Sequence, residues 1–181
     1  MTLITQKPLN IIIFLYLTLL VFSSCNEQKK IEPVPLAALH KQAAQLPSGE
    51  TIRIRMAMTA SEQIQGLSGL MPDEFAEDEA MLFFNLDTRL RSFWMPDTYF
   101  DLDIFFLDED LNVIDVDRKV PHHPGRQNPD SIPRAKSVTC RHVFEMKASS
   151  PLSAKLKKGD KLIWKGDYPL SQIELSIRQG L

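Results

Sequence analysis

Between Thr51 and Thr59 apolar and polar residues alternate, with Ile52, Ile54, Met56 and Met58 on one face and Arg53 and Arg55 on the other. That period of two predicts a half-buried strand. Thr59 and Glu62 then fit a capping box, so a short helix is expected to about Leu67, ended by Gly66 and Gly69. Ala80–Asn85 (AMLFFN) is a continuous apolar run of strand length, and Arg91–Met95 is a second short candidate. Leu102–Leu107 (LDIFFL) is apolar on both faces apart from Asp103, which predicts a central strand covered on two sides. A polar turn at Asp108–Asn112 leads to its hairpin partner, Val113–Val120, with Ile114 and Val116 inward.

Lys136–Lys147 reads as one strand carrying Val138, Cys140, His142, Phe144 and Met146 on a single face. Ser150–Leu156 opens with Ser-Pro and predicts a helical turn or two. Lys161–Trp164 and Gln172–Ile177 are the last strand candidates. Many short strands, frequent turn signals and one or two short helices indicate a mainly β fold: a sandwich of jelly-roll type or a small barrel. Between the hairpin and the later strands lies Pro121–Pro133, with four prolines, one glycine and two histidines, a surface loop of the kind that often carries function.

The N-terminus follows a different pattern. Ile11–Phe22 is twelve residues with two hydroxyls, Tyr16 and Thr18, and no charge, preceded by Lys7 and followed by Ser23-Ser24-Cys25. A membrane-crossing helix needs about 20 apolar residues, a secretory leader about 7–15. The ending resembles a bacterial lipobox, although Phe22 stands where an aliphatic residue is usual. The resemblance implies cleavage before Cys25, a signal peptide over 1–24, acylation of Cys25, and a body held at the lipid bilayer facing the periplasm or cell exterior. A plain secretory signal with a chance cysteine, or a short uncleaved anchor, are the other readings. Residues 26–48 hold three prolines and show no strand pattern, so 25–48 is read as a tether, with a short helix within Leu36–Leu46, and 49–181 as one β domain.

Composition narrows the function classes. The 181 residues carry 21 basic and 23 acidic side chains, a net charge of −2, which argues against non-specific binding to nucleic acid. Two cysteines allow at most one disulfide. No phosphate-binding glycine loop and no nucleophile elbow is present, since Gly66-Leu67-Ser68-Gly69 has the wrong spacing. No cofactor is indicated.

Thr59, Glu62, Gly66-Leu67, Met81-Leu82-Phe83, Phe93-Trp94-Met95, Thr98, Leu102-Asp103-Ile104, Glu145 and Gly159-Asp160 occur in an order and spacing that resembles one family, the domain of unknown function 192, over about Thr51 to Lys165. The resemblance implies a mainly β fold and an extracytoplasmic setting, and it brings no reaction or ligand with it. The chain departs from the usual pattern at Ser68 and Leu70, at Ala80, at Pro96-Asp97 and at His142, where the family commonly has Tyr.

Three constellations could carry chemistry. Trp94, Met95, Asp97 and Thr98, with Glu145 from the family pattern, could line a pocket that combines apolar walls with a few polar groups; otherwise Trp94 is core and Asp97 and Thr98 form a turn. Asp103, if buried, needs backbone donors, Arg141, a lysine or a ligand. It either ties down a loop or, with Asp101 on the same strand face, serves a small hydrolase. Cys140 and His142, with His122, His123 and Met95 or Met146, could form a copper or zinc site; otherwise Cys140 is a small core residue. The leading expectation is a non-enzymatic binding or accessory module on a lipid anchor, with a hydrolase using Asp103 and a metal-handling protein as alternatives.

Overall fold

The structure, a computed structural model, describes residues 32–180. The leader and Cys25 lie outside the described residues. Among the described residues, nine strands and three short helices follow one another in the order α1 (Leu36–Leu39), β1 (Lys41–Gln45), β2 (Thr51–Ala57), α2 (Ala60–Gln65), β3 (Glu79–Phe83), β4 (Arg89–Arg91), β5 (Leu102–Leu107), β6 (Val113–Val120), β7 (Val138–Cys140), β8 (His142–Lys147), β9 (Ile163–Trp164) and α3 (Leu170–Gln179). Seven strands form one curled sheet in the order β6-β5-β8-β3-β2-β1-β9, and β4 and β7 pair in a second, small sheet. The mainly β expectation holds.

The alternating run at Thr51 forms β2, with Ile52, Ile54 and Met56 buried. The expected central strand, β5, is buried at every position, as is β8, because both faces of the sheet are covered there. One face packs Ile52, Ile54, Leu82, Phe105, Phe144 and Met146 beneath α1 and α3. The other packs Phe83, Ile104, Phe106 and Val143 against Leu67, Phe75, Met95 and Ile132.

The sheet contains one parallel pair, β2 with β3. Parallel neighbours need a crossover connection, and residues 58–78 supply it. The capping box sits at its start: Thr59 Oγ1 accepts from the Glu62 amide, and the Glu62 carboxylate accepts from the Met58 and Thr59 amides. A 3-10 turn at Pro72–Glu74 carries the crossover back to the sheet. This connection forms one wall of the site described below.

Three elements differ from the sequence reading. The stretch read as tether contains α1 and β1, which pairs with β2 and β9, so the sheet begins before residue 49. Its inward residues are Gln42 and Ala44; a glutamine in a core position hides the strand period. The Gln42 amide is satisfied by Leu39 O and the Asp167 amide. Gln172–Ile177 lies in a helix, α3, and not in a strand. The single strand read over 136–147 is two, broken at Arg141, whose amide turns to Leu107 O.

Candidate functional site

Two concavities lie side by side on the face covered by the crossover. The wider is a groove of about 1190 Å³ lined by residues from His40 to Met81. Most of its charges are paired, His40 with Glu62 at 2.7 Å, Arg55 with Glu79 at 2.7 Å and Arg53 with Asp78 at 2.7 Å, while Lys41, Asp73 and Glu74 line it outside these pairs. The smaller is a cavity of about 50 Å³, room for a few waters or one small chemical group. Gln65 and Gly66 line both. The small cavity holds the less explicable chemistry and is the candidate site.

Its floor is buried and its rim exposed. Leu67, Phe83, Met95, Thr98, Leu102 and Glu145 lie inside, while Ile64 is 76% and Trp94 45% exposed at the mouth. Glu145 is the anomaly. On β8 it faces between Met81 of β3 and Ile104 of β5, 4% exposed. Among the described residues no donor reaches its carboxyl, and burial pushes its pKa up to about 8. A carboxyl in an apolar setting stays protonated at neutral pH unless something cationic joins it.

The loop that carries Trp94 is held by the proline-rich loop. The Met95 amide donates to Pro133 O, the Asp97 amide to Gly125 O, and the Thr98 amide to His123 O. Asp97 has a left-handed backbone, φ 55°, a conformation that Asp tolerates better than most residues. Its carboxylate accepts from Tyr99 Oη and from the Gly125 amide, and does not line the cavity. Thr98 Oγ1 donates to Met95 O and accepts from the His123 amide. Trp94 is on the rim rather than in the core, with the Arg134 guanidinium 5.2 Å over its ring.

Of the residues singled out in the sequence, Trp94, Met95, Thr98 and Glu145 come together, and Asp97 braces them. Asp103 does not join. It is buried on the opposite face of β5, where Oδ2 accepts from Arg118 Nη1 (2.6 Å) and Ser153 Oγ (2.5 Å) and Oδ1 from the Lys119 amide. With three donors it is a tie between β5, β6 and the turn at Ser153. Its partner is Arg118 and not Arg141, and Asp101 is occupied separately by the His122 amide and ring.

Cys140 and His142 do not share a face either. The break at Arg141 places Cys140 in the small sheet and His142 in the large one. Burial pushes the Cys140 thiol up to about 11, which makes it unreactive. Burial, with Arg141 and Arg91 nearby, holds His142 down to about 3, and its Nδ1 accepts from the Asn85 amide. Among the described residues no three His, Cys, Asp or Glu side chains are grouped to hold a metal ion.

Sequence reasoning missed Gln63, Ile64, Gln65 and Ser68 as lining residues and placed Phe93 only within the family pattern. Only Gly66, φ 49°, gave a hint: a Cβ there would lie 3.2 Å from the Phe83 ring, so the glycine lets the crossover press against the sheet at the cavity wall.

A curled mainly β sheet, crossed once by a helical connection that roofs a cavity with a buried acid, defines the class of domain. The chain belongs to the family domain of unknown function 192, described as "Uncharacterized ACR", whose model matches residues 43–164. Two solved structures are similar. A "putative transcription regulator" from Sinorhizobium meliloti 1021 is 25% identical, with a TM-score of 0.53 over 68% of this chain and 92% of that one. A protein of unknown function from Novosphingobium aromaticivorans DSM 12444 is 26% identical, with the same TM-score over 68% and 84%. No curated protein matches the chain.

Proposed function

We propose that this protein is a lipid-anchored extracytoplasmic binding or accessory module that seats a small polar group of its ligand against Glu145. The observation that carries the reading is that carboxyl: buried, without a partner among the described residues, at the floor of a cavity with an exposed apolar rim. Binding sites combine apolar walls with a few convergent polar groups and perturbed acids. The leader ending at Cys25 supports the anchor, because several acyl chains on one cysteine hold a protein at a membrane where one is marginal. A hydrolase built on Asp103 lacks support, since that carboxylate is saturated by Arg118, Ser153 and Lys119. A DNA-reading role, suggested by the description of the Sinorhizobium structure, finds little: the net charge is −2 and the described helices have four, six and ten residues.

A thermal-shift panel of small amines, amides, alcohols and carboxylates tests the binding reading. One chemical class at about 100 times its Kd is expected to raise the wild-type midpoint by about 5–10 °C, to leave Glu145→Ala unmoved, and to be recovered chemically unchanged. No class acting through Glu145 would end the reading. Labelled palmitate entering the wild type and not Cys25→Ala is the result expected for the anchor.

A further inference from the structure

We infer that the group bound at Glu145 is a small ammonium, the amino or methylated amino end of a larger ligand. This rests on the cavity being a binding site and adds the chemical class.

The hydrogen-bonding capacity left in the lining carries the inference. Gln63 Nε2 donates to Ala57 O and Phe84 O, and Gln65 Nε2 to Ser68 O. Ser68 Oγ donates to Pro96 O, and Thr98 Oγ1 to Met95 O. Most side-chain donors are therefore turned into the protein; the Trp94 indole N–H at the rim and the second Gln65 Nε2–H are not. Acceptors outnumber these donors: the amide oxygens of Gln63 and Gln65, the Ser68 hydroxyl oxygen and, once its proton has left, both oxygens of the Glu145 carboxyl. A ligand group that fits the floor offers more donors than it asks for, and an ammonium does so with up to three N–H and no lone pair.

The apolar part of the lining points the same way. Phe83 and Phe93 meet edge to face at 4.7 Å, and Trp94 and Met95 continue the wall. Aromatic faces beside a carboxylate attract cations. The cavity, about 50 Å³, admits a methylammonium-sized head and no more, so the rest of the ligand lies across Ile64 and Trp94 at the mouth.

Among the described residues no fixed cation takes the place of this group. Lys147, next along the same face of β8, gives its Nζ to Pro72 O and Glu77. Glu62 of α2 holds His40, Asp97 holds Tyr99, and Arg134 lies over Trp94. Glu79 of β3 holds Arg55, and Asp103 of β5 is on the far face with Arg118. His123, on the proline-rich loop, has its ring between Gly125 O and Ser131 Oγ. An ammonium binds ionised Glu145, and with the carboxyl held near 8 the complex forms by releasing one proton.

The full chain, extracted in a maltoside detergent with carboxyl-labelled glutamate, is titrated with methylammonium chloride and, separately, with acetamide and with methanol. The expected result is a saturable shift of the Glu145 carboxyl and Trp94 indole signals by methylammonium. Its affinity should rise roughly tenfold from pH 6 to pH 7 and level off above pH 8. Glu145→Gln, which keeps the carboxyl's shape, should lose the shift at least tenfold while other resonances keep their places. If acetamide or methanol moves both signals with an affinity that is flat below pH 7, the cavity binds ligand and the ammonium assignment is overturned. If none of the three probes moves either signal, both the assignment and the binding reading fall.

Discussion

Glu145 and His142 sit three residues apart on β8 and are perturbed in opposite directions by one cause, burial. Each makes a pH prediction of definite sign. The unfolded glutamate loses its proton near 4.5 and the folded one near 8. Between those values folding takes a proton up, so this residue's contribution is complete below 4.5 and fades as pH rises through 8. Glu145→Gln is therefore expected to be more stable than wild type by about 1–3 kcal/mol at pH 8 and indistinguishable from it near pH 4. Urea denaturation at the two pH values reads this directly. An acid retained at such a cost fits a role in binding.

His142 runs the other way. Its ring ionises near 6.5 when unfolded and near 3 when folded, so folding releases a proton in that window. The stability it supplies is present above 6.5 and is lost as pH falls toward 3. His142→Gln should lower the acid-side slope of stability against pH by about 1.4 kcal/mol per unit between pH 6 and 4. An unchanged slope would show that the ring is protonated in the fold.

At the scale of elements, β2, the capping box of α2 and the central strand β5 were all legible, because each rests on residues whose polarity reports their burial. Two of the three failures share a physical origin: a polar side chain at a core position. Gln42 hid β1. In α3 the buried stripe is Ile173 and Ser176, with Leu170 and Ile177 packed beside them. Reading Ser176 as outward leaves Ile173, Leu175 and Ile177, a false period of two. Pro169 before the helix and Gly180 after it, φ 70°, were the usable signals. Ser176 is buried because its hydroxyl accepts from the Val34 amide at 2.7 Å and donates to Gln172 O. Ile173→Ala is expected to cost about 2–4 kcal/mol in urea denaturation, as a cavity beneath a docked helix. A loss below 0.5 kcal/mol would mean that α3 is not docked. The site was legible in part: Trp94 and Glu145 were named in advance, but the crossover residues that face them are joined to them only by the parallel pairing of β2 and β3, a long-range fact that local spacing does not carry.

Across the molecule, β8 stands between β5 and β3, although it follows them in the chain by way of the proline-rich loop. That loop is stitched to the Phe93–Thr98 segment by three main-chain bonds. Arg126 is exposed within it. Were trypsin to sever the chain after Arg126, the later fragment would still supply the middle of the sheet to the earlier one. Two bands in a denaturing gel should therefore co-elute as one species in native gel filtration, and the protein could be rebuilt from separately expressed halves.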